Sequence, residues 1–221
     1  RRRGVLFHTD AVQAVGAIPV DVKALGVDML SLSAHKFNGP KGGGVLYIRR
    51  GVNPVNFMDG GAQEKRRRAG TENLAGIVGL STALEIAVNG LAEKSKRLSE
   101  LRDIVLDHVA AMPKVKINGP LDRSKRLPNN VNASFEAAEG ESLLLMLDMK
   151  GICASSGSAC ASGSLDPSHV LLAIGLPHEI AHCSLRISFG VQNTVEEARA
   201  VCAALDEVVP KVRERSPLWN E

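Results

Sequence analysis

Ser31-Leu32-Ser33-Ala34-His35-Lys36 closes an apolar run and leads, through Phe37-Asn38, into Gly39-Pro40-Lys41-Gly42-Gly43-Gly44. The run Val27 to Ser33 reads as a buried strand, and Gly44 to Arg49 as the next one. Lys36 therefore sits at the mouth of a strand, just after a serine and a histidine. An amine held there can bond to an aldehyde carbon, while small polar neighbours bind a phosphate. The competing reading is a solvated lysine before a Gly-Pro turn, with Gly42 to Gly44 as a flexible connection. A Walker-type loop is not an option, because no Gly-Lys-Ser/Thr ending stands at the required spacing.

Upstream, Val5 to Thr9 reads as a short buried strand with Asp10 at its carboxyl end and a helix from Ala11 onwards. Strand, helix and strand at this spacing indicate an α/β fold, in which ligands gather at the carboxyl ends of strands. Asp10 and Lys36 both fall at such ends. A carboxylate beside the ring nitrogen of pyridoxal 5'-phosphate (PLP) keeps that nitrogen protonated, and Gln13 can donate to the ring's phenolic oxygen. Asp10 taken alone reads first as a helix cap, and its position ahead of Lys36 is what favours the ligand reading.

Downstream, Leu74 to Val88 and Leu91 to Met112 repeat apolar residues at helical spacing, separated by Asn89-Gly90 and stopped by Pro113. Val115 to Ile117, Asn130 to Phe135 and Cys183 to Phe189 read as strands, and Gly140 to Met149 as a helix. Thr194-Val195-Glu196-Glu197 is a capping box that opens a last helix through about Val208. These elements place a domain boundary at Asn89-Gly90. Residues 1–89 are expected to be the end of a large α/β domain, and residues 90–221 a smaller α+β domain.

Three further segments carry candidate chemistry. The loop Gly60 to Asn73 is polar and glycine-punctuated, and its Thr71 near a helix start suits an anion. Its run Lys65 to Arg68 reads as solvated charge. Ala154 to Ser164 is a stretch of small residues carrying a single thiol, Cys160, which is either a nucleophile or an incidental cysteine in a Ser/Gly linker. Arg186 stands on the polar side of a strand and suits either capture of an amino-acid carboxylate or a structural ion pair.

Composition narrows the classes. An apolar content of 44% with 23% charged residues is that of a globular chain, and a net charge of +3 is too weak to indicate nucleic acid. No apolar run reaches membrane-spanning length, and no secretory signal is visible. Cys153, Cys160, Cys183 and Cys202 lack Cys-x-x-Cys spacing, so reduced thiols in a cytoplasm are expected, with Cys183 and Cys202 in the core and no structural metal. The chain starts without methionine and in mid-pattern, which reads as part of a longer protein.

Taken in order, His8-Thr9-Asp10-Ala11-Val12-Gln13, Ser33-Ala34-His35-Lys36, Gly39-Pro40-Lys41-Gly42, Gly60 to Asn73, Ser155 to Ser162, Pro167-Ser168-His169-Val170-Leu171 and Ser184-Leu185-Arg186-Ile187-Ser188 resemble the NifS/IscS-type cysteine desulfurases. These are fold-type I PLP enzymes related to the class-V aminotransferases. The form Ser-Ser-Gly-Ser-Ala-Cys belongs to the group with a long mobile cysteine loop. The resemblance implies that Lys36 carries PLP, Asp10 faces its ring nitrogen and Gln13 its phenolic oxygen. It further implies that Ser33 and His35 hold the phosphate with Thr71 from the other subunit of a homodimer. Arg186 would bind the carboxylate of L-cysteine, and Cys160 would take its sulfur as a persulfide, leaving L-alanine. An iron–sulfur scaffold or another sulfur-acceptor protein is the implied partner, and Cys160 a transient iron–sulfur ligand. The family's N-terminal part, with a Gly/Thr phosphate turn, a ring-stacking histidine and an asparagine, is not in this chain. Alternative readings are a selenocysteine lyase, an aminotransferase or another fold-type I enzyme. From a different class comes a fragment that only accepts sulfur or docks.

Overall fold

A computed structural model describes residues 2–157, 166–217 and 219. The chain divides into two compact units, Arg1–Lys94 and Ser95–Glu221.

In the first unit, β1 (His8–Asp10) pairs in parallel with β2 (Met29–Ser33), and β3 (Gly44–Ile48) pairs antiparallel with the other side of β2. The first strand is shorter than expected, since Val5, Leu6 and Phe7 lie outside it and are exposed. Just before it, Phe7 is held to β2 by its carbonyl, which accepts the Met29 amide at 3.2 Å, and by the Asp28 side chain. Asp28 Oδ2 accepts the Phe7 amide at 2.8 Å, and its Oδ1 accepts Nε of Arg49 at 2.6 Å. Asp28 is buried, so this ion pair joins the chain entering β1 to the ends of β2 and β3.

The helix expected from Ala11 is instead two successive turns, closed by Val15 N–H to Ala11 O and Ile18 N–H to Ala14 O. Gly16 breaks them with φ of +75°, a conformation that a side chain resists. A Cβ there would also come within 2.9 Å of the Phe37 Cβ. The turns are thereby seated on the segment that bears Lys36. A short helix α1 (Val22–Leu25) follows, capped by Asp21 at its start and Gly26 at its end.

Next come a single turn, α2 (Gln63–Arg66), and a long helix, α3 (Leu74–Asn89). Leu80 and Ala87 of α3 pack with Ala11, Val15, Leu30, Ala34 and Phe37 in one apolar cluster. Each side chain of leucine size buried in this way contributes roughly 1.5–3 kcal/mol. Helix α4 (Leu91–Ala111) follows at once, and the division between the units falls in its first turn.

The second unit is a three-stranded antiparallel sheet in the order β4 (Val115–Ile117), β5 (Asn130–Phe135), β6 (Ser184–Ser188). Alternate residues Val131, Ala133, Phe135, Leu185 and Ile187 face the core. They meet Leu101, Val105 and Val109 of α4 and Leu143 and Leu147 of α5 (Gly140–Asp148). Two short helices, α6 (His169–Ala173) and α7 (His178–His182), precede β6 and form a small cluster around Leu171, Leu176 and Ala181.

The last helix, α8 (Val195–Glu214), opens with the expected capping box: Thr194 Oγ1 accepts the Glu197 amide, and Glu197 Oε2 accepts the Thr194 amide. It runs beyond Val208 and through Pro210, because its apolar stripe continues at Val209 and Val212. The buried Arg213 then donates to the carbonyls of Pro113, Lys114 and Glu136. Cys202 is buried in α8, whereas Cys183, expected in the core, is only half-buried before β6. Burial pushes both thiols up, away from thiolate chemistry. Among the described residues no single helix is long and apolar enough to cross a membrane, and no group of three or more His, Cys, Asp or Glu is placed to hold a metal.

Candidate active site

The carboxyl ends of β1 and β2 adjoin, since Asp10 is in register with Ser31 across the parallel pair. Asp10 Oδ1 accepts the Val12 amide at 2.9 Å, so the carboxylate caps the first turn after β1. Its Oδ2 has no hydrogen-bond partner among the described residues. Beside it the His8 ring bonds to the Ser31 hydroxyl, Nε2 to Oγ 2.7 Å. Gln13 is exposed on the turn that follows.

Beyond β2, Ala34–Phe37 form one turn of 3-10 helix. Ser33 precedes this turn but does not cap it; its hydroxyl pairs instead with Nδ1 of His35 at 2.8 Å. The turn is anchored by its apolar members, Ala34 and Phe37, both buried, which leaves His35 and Lys36 on the exposed side. Asn38 ends it in a left-handed conformation, and the Gly39 amide reaches back to Ala34 O at 2.9 Å. A side chain at Gly39 would crowd this turn, since a Cβ would lie 3.0 Å from Ala34 Cβ and from its carbonyl oxygen. Pro40 presses on α3 at Gly79, where an added Cβ would meet its Cγ at 2.8 Å. The Gly-Pro segment thus locks the lysine turn onto a helix. Lys36 Nζ makes no ion pair or hydrogen bond with the described residues.

Thr71 is exposed on the loop before α3, with no hydrogen bond linking it to the Lys36 group. Asn73, two residues on, caps α3 by accepting the Gly76 amide. Earlier in this loop Glu64, Lys65 and Arg66 all have positive φ, so the basic run leaves the chain on a strained left-handed turn.

In the second unit, Arg186 lies on β6, partly exposed, on the face opposite the core. Its guanidinium has no carboxylate or carbonyl partner among the described residues. Its backbone exchanges two hydrogen bonds with Ser155, from Ser155 N to Arg186 O at 3.0 Å and from Arg186 N to Ser155 O at 2.5 Å. Ser184 Oγ also donates to Ser156 O, at 3.1 Å. The segment leading to Cys160 is therefore tied to the strand that carries Arg186, a proximity invisible in the sequence. Cys160 itself lies outside the described residues.

The residue types at the ends of β1 and β2 fit PLP: the Lys36 amine could take the aldehyde, the Asp10 carboxylate the ring nitrogen, and the Ser33–His35 hydroxyl–imidazole pair the phosphate. A lysine turn at the carboxyl edge of a mixed sheet, followed by a separate α+β unit, is the arrangement of a fold-type I PLP enzyme. The chain belongs to the aminotransferase class-V family, whose profile matches residues 1–201. It is 55% identical over 222 residues to cysteine desulfurase IscS of Clostridium botulinum (strain Hall), across 100% of this chain and 56% of that protein. The corresponding protein of Methanosarcina thermophila is 55% identical over 214 residues, 97% of this chain and 52% of that one. Among solved structures, the NifS-like protein from Rickettsia africae superposes with a TM-score of 0.82 at 32% identity, over 93% of this chain and 54% of that one. The chain thus spans about half the length of the curated relatives that it matches.

Proposed function

We propose that the protein to which this chain belongs is a cysteine desulfurase, which moves the sulfur of L-cysteine to Cys160 and releases L-alanine. The observation that carries this reading is the cluster of Asp10, Ser33, His35 and Lys36 at the carboxyl ends of two adjacent strands. The 55% identity to proteins named cysteine desulfurase supports the choice of reaction. In this reading residues 1–89 are the last part of a large cofactor domain and residues 90–221 a small domain with the cysteine loop.

PLP, when bound, supplies an electron-withdrawing ring that stabilises negative charge at the substrate Cα. Lys36 would hold its aldehyde carbon, Asp10 its ring nitrogen and Gln13 its phenolic oxygen. Ser33 and His35 would hold its phosphate, joined by Thr71 from the second copy in a homodimer. Arg186 would fix the substrate carboxylate, and Lys36 Nζ would carry the Cα proton. Cys160, as thiolate, attacks the substrate sulfur: an S–S bond forms and the Cβ–S bond breaks. The electron pair goes to carbon, which is protonated to the methyl group of alanine. The product persulfide would pass to an iron–sulfur scaffold or another acceptor in the cytoplasm.

The test begins with borohydride reduction of the chain in the presence of PLP, followed by peptide mapping. Label confined to Lys36 supports the cofactor site, whereas scattered label counts against it. In full-length protein, Cys160→Ser should keep the cofactor absorbance and lose both the persulfide and alanine release. Undiminished alanine release by that variant would remove Cys160 from the reaction.

A further inference from the structure

We infer that Asn132, oriented by the buried Asn118, completes with Arg186 a two-donor clamp for the α-carboxylate of the amino-acid substrate. The inference rests on the reading of Arg186 given above and adds to it a second contact and the residue that aims it.

Asn132 and Arg186 are in register across β5 and β6. Because the Arg186 backbone N–H and C=O both turn to Ser155, its pairing with Asn132 is of the non-hydrogen-bonded kind, in which side chains stand closest, with Cα atoms about 4.5 Å apart. On the other flank the Asn118 amide donates to Asn132 O at 2.9 Å, extending the row beyond β4. Asn118, Asn132, Arg186 and Ser155 thus form one line across the polar face of the sheet.

The side chains add direction to this line. Asn118 is 5% exposed, and its Nδ2 donates to Asn132 Oδ1 at 2.7 Å and to Ser134 Oγ at 3.0 Å. Its own Oδ1 is buried with no hydrogen-bond partner among the described residues. With Oδ1 of Asn132 occupied, what Asn132 has left is its NH2 group, a donor without a partner among the described residues. The neighbouring guanidinium is likewise a donor without a partner there. Two donors cannot bond to each other. An anion with two acceptor oxygens satisfies both, and a carboxylate has that geometry.

The experiment uses the full-length PLP-loaded protein and reads binding by the change in cofactor absorbance. The probes are L-alanine and ethylamine, which share a skeleton and differ only in the carboxylate. Asn132→Ala should weaken L-alanine about tenfold, the size of one hydrogen bond to a charged group, and leave ethylamine within twofold. It should also raise KM for L-cysteine by a similar factor with kcat within about threefold. Asn118→Asp keeps the shape but cannot donate from the carboxylate, so Asn132 turns its NH2 away from Arg186, and the same selective loss of L-alanine is expected. Equal weakening of both probes in Asn132→Ala would show a merely structural role and overturn the inference. If Arg186→Ala loses L-alanine selectively while Asn132→Ala does not, the clamp fails and the Arg186 reading stands. If neither variant discriminates the probes, both fail together.

Discussion

At the scale of single residues, the site is set by who takes whose hydrogen bond. Ser33 stands where a helix cap would stand, yet its hydroxyl goes to the His35 ring, so the pair is preassembled beside Lys36. On the reading proposed above, removing the hydroxyl leaves His35 free to rotate and deletes one donor to the phosphate. Ser33→Ala should therefore weaken PLP binding about tenfold, the effect of one charge-assisted hydrogen bond, while the melting temperature stays within about 2 °C. Equilibrium dialysis against PLP, paired with a thermal scan, checks both halves. The types of these residues were legible in the sequence, as were Asp10 and Lys36 at strand ends. The partners of Ser33 and Asn132 were not, since a hydroxyl or an amide has many possible neighbours until the fold restricts them.

At the scale of elements, close approach between backbones holds the base of the cysteine segment. Gly140 begins α5, and a Cβ there would lie 2.7 Å from Ser184 O and 2.9 Å from His182 O. Those are backbone atoms that cannot turn aside. Gly140→Ala should force α5 away from β6 at a cost of roughly 1–3 kcal/mol. Urea denaturation should show a lower midpoint at an unchanged slope. A change of slope without a shift of midpoint would mean that the contact is not what the glycine serves. Element types followed from periodicity where apolar residues recur over several turns, as in α3, α4 and α8. They did not where a glycine or a buried charge intervenes. Gly16 converts an expected helix into two turns, and the Asp28 carboxylate takes the Phe7 amide ahead of β1.

At the scale of the whole molecule, stability should depend on acid through an exposed cluster between the helices of the second unit. Glu207 on α8 accepts from Lys150 at 2.5 Å and from Lys211 at 2.7 Å. These hydrogen bonds, that from Lys150 foremost, pull its carboxyl down to about 2 from the ordinary value of 4.5. A lowered folded-state value means that the stabilisation is complete above the unfolded value and drains away as pH falls from there through about 2. The exposed position keeps the effect small. Glu207→Gln should therefore flatten the loss of stability between about pH 4.5 and 2, measured by urea midpoints at each pH, and leave the slope above pH 6 unchanged. Parallel curves for the two proteins throughout would discard the cluster as an acid-sensitive element.

The sequence by itself determined the family, the α/β character around Lys36, the capping box of α8 and the residue types available for chemistry. Each of these depends on neighbours a few positions apart, where helix and strand periods and cap chemistry act locally. Only the tertiary structure decided that Ser155 bridges to Arg186, that Asn118 and Asn132 stand in line with it, and that Asp28 closes the sheet edge on Arg49. Such pairings join residues far apart in the chain, and a shift of one position in register would turn each side chain to the opposite face. The ladder of strands, packed on its core, is what selects the register.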